Sequence, residues 1–233
     1  MLEALAQTQP GDAVLLHGCC HNPSGADLSL AQWNELAALF KVRGIVPFID
    51  IAYAGLGRGW DEDLAGVRSM VGAVDEAIVA VSCSKSFGLY RERTGALYFS
   101  GKSSEHVAAA LSNGMAAART NYSMPPDHGA ATVAQILGDP ALEQEWSEEL
   151  ARMRERIWAL RRTLVESAVK AGLDWSYLLD QQGMFSLLPL DPAQVMRLRE
   201  DFAIYMPPNG RICIPSLSNE GCDHLARSCV AVG

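Results

Sequence analysis

The chain has 233 residues, 49% of them hydrophobic and 20% charged, an ordinary globular balance with apolar mass enough for a substantial core. Its 19 Lys and Arg against 27 Asp and Glu give a formal charge of -8, which argues against a general binder of phosphate backbones. No apolar run approaches a membrane span, the opening MLEALAQTQPGD lacks the basic start and apolar stretch of a signal peptide, and six cysteines without repeated CxxC spacing point to reduced thiols in the cytoplasm.

In chain order, residues 13–16 read as a strand ending near His17. Ser29 caps a helix whose apolar positions Leu30, Trp33, Leu36, Ala37 and Phe40 fall three or four apart, with Lys41 and Arg43 at its dipole end and Gly44 as its stop. Residues 45–49 read as a buried strand blemished by Pro47, and 63–71 as a weak helix. Residues 77–81 (AIVAV) read as a clean buried strand and 94–99 (TGALYF) as another. This alternation is that of an α/β fold with a mostly parallel sheet and flanking helices. Residues 102–120 read as helix. The prolines of Tyr122-Ser-Met-Pro-Pro-Asp-His make a loop. A long helix covers 142–171, with apolar Trp146, Leu150, Met153, Ile157, Leu160 and Leu164 in three-four spacing and Gly172 as its end. After it come a strand at 184–188, a helix after Asp191-Pro192, a strand at 212–214 and a last helix from Asn219. The expected organisation is a first domain over 1–140 and a smaller α+β domain over 141–233 that opens with the long linking helix.

In an open parallel sheet the ligand crevice lies beyond the carboxyl ends of the strands. Three successive strand ends here deliver His17-Gly-Cys-Cys-His-Asn22-Pro-Ser-Gly, Asp50-Ile-Ala-Tyr53-Ala-Gly and Ser82-Cys-Ser84-Lys85-Ser-Phe-Gly, the last running on to Arg93. An amide, a carboxylate, a phenol, hydroxyls, an amine and a guanidinium suit a ring with a basic nitrogen, a phenolate oxygen, an aldehyde and a phosphate. Each residue also has a plainer reading: Asp50 as a strand-end cap, Asn22 before proline as a turn former, Arg93 as a partner of Glu92 or Glu62, Arg119 as a helix-end charge. Lys85 is set apart by following an apolar strand amid Ser and Gly. Cys83, alternating with Ser82 and Ser84, reads as a packed thiol facing away from them. His17, Cys19, Cys20 and His21 resemble a metal cluster, but neighbouring Cys on an extended chain point to opposite faces, so no metal is expected. The arginines 152, 154, 156, 161 and 162, interleaved with glutamates, read as a solvated, salt-bridged helix face rather than a nucleic-acid surface.

The segments HNPSG, DIAYAGLG and SCSKSFGLYRERTG, followed by RTNYSMPP, GMFS and GRI, resemble class I, fold-type I pyridoxal-phosphate aminotransferases, in the aspartate and aromatic amino acid branch. The resemblance runs through nearly the whole chain. It implies an incomplete PLP-transferase large domain plus the small domain, and transamination between aspartate or an aromatic L-amino acid and 2-oxoglutarate by a ping-pong Schiff-base mechanism. It implies Lys85 as the Schiff-base lysine and proton shuttle, and Asp50 as partner of the pyridine nitrogen. Asn22 and Tyr53 would hydrogen-bond the phenolate oxygen, and Ser82, Ser84 and Arg93 would hold the phosphate. Arg211 would bind the α-carboxylate, and Arg119 would reach across a homodimer interface to a distal carboxylate. The opening resembles an internal stretch of the family, so the earlier strands, the phosphate loop at a helix N-terminus and the ring-stacking aromatic are expected to be missing. The corresponding alternative is an impaired or inactive aminotransferase remnant. Smaller departures are Ser24 where the family has Thr, Met124 where it has Asn, and Pro215-Ser216 after the GRICI strand.

Overall fold

The chain is described from a computed structural model over residues 2–233. It divides into two compact units, neither a single stretch of chain: Met1–Cys19, Leu28–Ala54 and Asp61–Ser147 form the first, and Cys20–Asp27, Gly55–Trp60 and Glu148–Gly233 the second.

The first unit is built on a four-stranded sheet of β1 (Ala13–His17), β2 (Val46–Ile51), β3 (Ala77–Ser82) and β4 (Gly95–Ser100), ordered β1-β2-β3-β4. The first three strands are parallel and β4 runs antiparallel. A short helix α1 (Leu2–Leu5) precedes β1, and α2 (Leu30–Arg43) and α3 (Trp60–Ala73) make the crossovers. Helix α2 starts where Ser29 accepts the Gln32 N–H and the Gln32 side chain accepts the Ser29 N–H in return. It stops at Gly44, whose φ of 66° suits a residue without Cβ. Its buried stripe is Trp33, Leu36, Ala37 and Phe40. Helix α3 meets it at Gly66, where a Cβ would lie 2.2 Å from Trp33 Cδ1.

Register gives each sheet face its composition, because paired residues share a face. Leu16, Ile49, Val79 and Tyr98 are aligned on one face, and Leu15, Phe48, Ile78 and Phe99 on the other. Leu16 and Ile49 are buried, whereas Leu15 is 63% exposed. Val67 of α3 packs beside Gly18 on the covered face. Pro47 lies inside β2 at no cost to the ladder. The Val46 N–H donates to Asp12 O on the β1 side, so Pro47 faces the β3 side, where pairing opens only at Phe48. The expected burial of the third and fourth strands is corrected: β3 is half-buried beyond Ala77, and most of β4 is exposed. β4 is an edge strand, and α4 (Ser104–Tyr122), which approaches it through Gly114 beside Phe99, buries none of its described residues. A helix α5 (His128–Gly138) occupies a stretch the sequence reading leaves unassigned. The prolines at 125 and 126 end just before Asp127, and TVAQIL then carries the helix on.

Helix α6 (Pro140–Ala171) contributes its first residues to the first unit and the remainder to the second. The second unit adds a 3-10 turn (Ser176–Asp180), β5 (Phe185–Leu187), α7 (Pro192–Phe202), β6 (Arg211–Cys213), a second 3-10 turn (Ile214–Ser216) and α8 (Asn219–Val232). β5 and β6 pair antiparallel. Its core is Leu164, Ala168, Leu178, Leu198, Ile214, Cys222 and Ala226, all fully buried. Asp191 caps α7 with a capping box, Ser167 of α6 hydrogen-bonds Asp223 of α8, and Arg197 donates to the Ala231 and Val232 carbonyls at the negative end of α8.

The solvated arginine face expected on α6 holds for the exposed Arg152, Arg156 and Arg162 and is corrected for two others: Arg154 is half-buried and donates to Gly55 O, and Arg161 is buried among backbone acceptors, while Arg156 donates to Pro215 O. Loops folded against the helix present bare carbonyls, which a planar multi-donor side chain satisfies. Among the described residues no helix is long and apolar enough to cross a membrane.

Candidate active site

Because β1, β2 and β3 are parallel, their carboxyl ends open at one edge of the sheet. Asp50 is the penultimate residue of β2, paired in register with His17 and Ala80 and half-buried. It is therefore part of the ladder rather than a cap beyond it. The Gly18 N–H donates to its carbonyl at 2.8 Å. Three residues on, the buried Tyr53 presents its ring to Lys85, whose Nζ stands 4.6 Å from the ring centroid. A cation over an aromatic face at that distance is held electrostatically.

The loop after β3 is fixed on both sides of Lys85. Before it, Ser82 Oγ and Ser84 Oγ are 3.1 Å apart, and the Ser84 N–H donates to Ser82 Oγ. After it, the buried Ser86 hydroxyl donates to Ala54 O at 2.7 Å, tying the β3 loop to the β2 loop one residue past Tyr53. The Trp146 indole N–H donates to Ser86 O, and its ring stacks on Phe87. Ser86 and Trp146 are thus supports for Lys85 that sequence reading missed. Trp146 is legible only as one member of an apolar stripe, and nothing local marks Ser86 as a tether. Cys83 is half-buried, and burial pushes its thiol pKa up, which makes it a poor nucleophile. Arg93 is exposed, with φ 51°, and its guanidinium donates to Tyr90 O. Glu92, offered above as its partner, lies instead 3.1 Å from His128 Nδ1. Arg119 is exposed in the last turn of α4, where its carbonyl accepts the Ser123 N–H.

The second unit assembles its own group of predicted residues. Arg211 opens β6 and donates from Nη1 to Asn22 Oδ1 at 3.1 Å, while its Cζ lies 4.8 Å from the centre of the Phe185 ring. Asn22 is carried by a turn in which Asp27 accepts both the Cys20 and His21 N–H groups, at 2.7 and 2.8 Å. His21 Nδ1 lies 2.7 Å from Ser24 Oγ. Cys20 has φ 52°, so the chain turns there and the face alternation expected of extended backbone does not apply. Asp50, Tyr53, Ser82, Ser84 and Lys85 therefore form one cluster at strand ends, and Asn22 and Arg211 form another within their own unit. The first offers an amine beside a phenol, hydroxyls and a nearby carboxylate. The second offers a guanidinium whose geometry suits a carboxylate fork.

Comparison with known proteins places these groups in context. A family profile described as aminotransferase class I and II matches residues 1–228. The chain is 52% identical over 226 residues to a tyrosine aminotransferase of Rhizobium meliloti, covering 97% of this chain and 58% of that protein. It is 44% identical to the aspartate aminotransferase of Escherichia coli, over 100% of this chain and 59% of the relative. The solved aromatic-amino-acid aminotransferase of Burkholderia pseudomallei, covalently bound to pyridoxal phosphate, superposes with a TM-score of 0.94 at 46% identity, over 100% of this chain and 59% of that one. The chain thus spans somewhat under three fifths of the length of these relatives.

Proposed function

The chain belongs to the aminotransferase class I and II family, and from that premise we propose that it supports pyridoxal-phosphate-dependent transamination between an L-amino acid, aspartate or aromatic, and 2-oxoglutarate. The strand-end cluster fits that cofactor by its donor chemistry: an amine, an acid, a phenol and paired hydroxyls answer an aldehyde, a ring nitrogen, a phenolate oxygen and a phosphate. When bound, the cofactor supplies the aldehyde that takes the amine and the electron sink that makes the Cα proton removable.

The remaining work falls to the chain. Lys85 would supply the amine that holds the cofactor's aldehyde, and its Nζ would be the base that takes and gives back the substrate's proton. Tyr53, beneath that ammonium, orients it and would donate to the phenolate oxygen, a role the family resemblance also implies for Asn22. Asp50 would face the ring nitrogen and hold a proton there, the state in which such a ring is the better electron acceptor. Ser82, Ser84 and Arg93 would hold the phosphate by hydroxyl and guanidinium donors. Arg211, oriented by Asn22 and Phe185, grips the α-carboxylate. Arg119 takes a distal carboxylate in a partner subunit's site, which makes a homodimer the working state, and the reduced cysteines fit a cytoplasmic protein.

The observation that carries this reading is the Lys85 ammonium 4.6 Å above the Tyr53 ring, on the loop after the strand that flanks Asp50. The test is to incubate the 233-residue chain with pyridoxal phosphate, reduce with borohydride and map the pyridoxyl group by peptide mass spectrometry. The expected outcome is a single modified lysine at position 85 that Lys85→Ala abolishes. Label spread over Lys41, Lys102 and Lys170, or none at saturating cofactor, refutes it.

A further inference from the structure

Arg161 is the largest fully buried side chain among the described residues, at 1% exposure. Burial pulls its guanidinium down to about 10, with the neighbouring Asp27 and Cys20 acting in the opposite direction, so it keeps its charge at neutral pH. A buried cation is tolerated only where its donors are answered. Nη1 donates to Ser186 Oγ at 2.6 Å and to Leu178 O at 3.3 Å, and Nη2 donates to Gly183 O at 2.7 Å.

Those acceptors are placed where they matter for Arg211. Gly183 and Ser186 bracket Met184 and Phe185, and the Phe185 ring lies under the Arg211 guanidinium. β5 and β6 pair Phe185 with Cys213 and Leu187 with Arg211, so a shift of β5 moves Arg211 with it. The same segment is fitted against the turn that carries Asn22. Gly183, at φ 74°, leaves no room for a Cβ, which would come within 2.4 Å of Cys20 Cβ. Gln182 donates its N–H to Gly25 O at 2.8 Å, and a Cβ on Gly25 would meet Phe185 O at 2.5 Å. Strand and turn fit at backbone distance, and Arg161 holds the strand side.

We propose that Arg161 is a positioning residue for carboxylate recognition: by holding Gly183 and Ser186 it fixes Phe185 and, through Phe185 and the β5–β6 pairing, sets the Arg211–Asn22 hydrogen bond that presents the guanidinium to substrate. This rests on the reading of Arg211 as the α-carboxylate site. A residue of general structural value would lower stability without selectively disturbing carboxylate binding. A positioning residue makes its contribution only while Arg211 is there to be positioned, and that difference is measurable.

The experiment is a double-mutant cycle on the full chain, reading the Kd of 3-phenylpropanoate, a monocarboxylate that has no amine to react, by calorimetry. Pyridoxal-phosphate occupancy is followed separately by absorbance. Arg161→Met, which keeps the volume and removes the donors, is expected to weaken the probe about tenfold while cofactor occupancy stays at the parent level. In an Arg211→Leu background the same change is expected to add less than about twofold. Parent affinity in folded Arg161→Met, or a full tenfold loss on top of Arg211→Leu, overturns the proposal. If Arg161→Met does not fold, Ser186→Ala removes one acceptor and is expected to weaken the probe about threefold in the parent and not in the Arg211→Leu chain; unchanged affinity in the parent overturns it. Should Arg211→Leu bind as tightly as the parent, the carboxylate-site reading itself fails, and that result is distinct from an inert Arg161 change beside a disabling Arg211→Leu.

Discussion

The rings of Phe87 and Trp146 stack with centroids 4.5 Å apart and planes 9° from parallel, and the same indole donates to Ser86 O at 2.8 Å. One side chain at the start of α6 therefore grips both residues that follow Lys85. Trp146→Phe keeps a ring to stack and loses the hydrogen bond, and is expected to lower stability by about 1 kcal/mol. Trp146→Ala loses both contacts and is expected to cost about 2–3 kcal/mol. Both should slow borohydride trapping of pyridoxal phosphate at Lys85, the alanine variant more. Equal trapping rates in all three chains would show that the loop holds Lys85 without the indole.

The carboxylate assignments separate by substrate. Every amino-acid substrate carries the α-carboxylate, so Arg211→Leu is expected to reduce kcat/KM for aspartate and phenylalanine alike, by about 10- to 100-fold each, the loss of charge-assisted hydrogen bonds. Arg119→Leu is expected to harm aspartate much more than phenylalanine, because only aspartate has a second carboxylate to grip. Steady-state kinetics with both amino acids checks the pair. Equal losses on Arg119→Leu would remove that residue from the recognition of dicarboxylates.

The elements legible from sequence are those with local signals. α2 announces its ends through Ser29 and Gly44, and α7 its start through Asp191-Pro192, because capping is decided within four residues. The strand-end polar segments are legible for the same reason: apolar runs meet their first polar residue at His17, Asp50 and Ser82. What stays hidden is set by distant chain. Arg161 and Arg154 carry the same local pattern as their solvated neighbours, and only Gly183, Ser186 and Gly55 arriving from elsewhere turn them into buried or half-buried donors. Ser86 is one serine among three, and its tether to Ala54 depends on two loops meeting at a sheet edge. Burial of β3 and β4 is likewise not a property of their residues, since AIVAV and GALYF are apolar whether or not a layer covers them.

Gly66 is small because of its partner. A Cβ at that position would lie 2.2 Å from Trp33 Cδ1 and 2.5 Å from Cγ and Nε1, and Trp33 is itself buried in the α2 stripe. Gly66→Ala gains helix propensity, yet the clash falls on a rigid, enclosed ring and wins: a net loss of about 1–3 kcal/mol is expected. Trp33→Leu in the Gly66→Ala background should recover part of it by opening the space. Denaturant titrations of the single and double variants check this, and a Gly66→Ala chain as stable as the parent would mean that the two helices slide apart freely.

Alkaline pH should weaken the second unit first through its thiols. Burial raises Cys222 to about 11, with Asp223 adding to it, and raises Cys229 to about 12, both from the ordinary 9.0. Burial raises Tyr177, whose hydroxyl donates to Leu187 O, to about 12 from 10.0. For each group the unfolded chain releases its proton first, so the stabilising contribution is full below the unfolded value and is lost as pH climbs towards the folded one. Arg161, lowered to about 10 from 12.5, acts the other way, but only above about pH 10. Between pH 8 and 10 the thiols therefore dominate this set, and the urea midpoint is expected to fall. Cys229→Ala, which removes one titrating thiol, should show a shallower fall over the same interval even though its midpoint at pH 8 is lower. A parallel decline in the two chains would exclude the Cys229 thiol as a source of the alkaline loss.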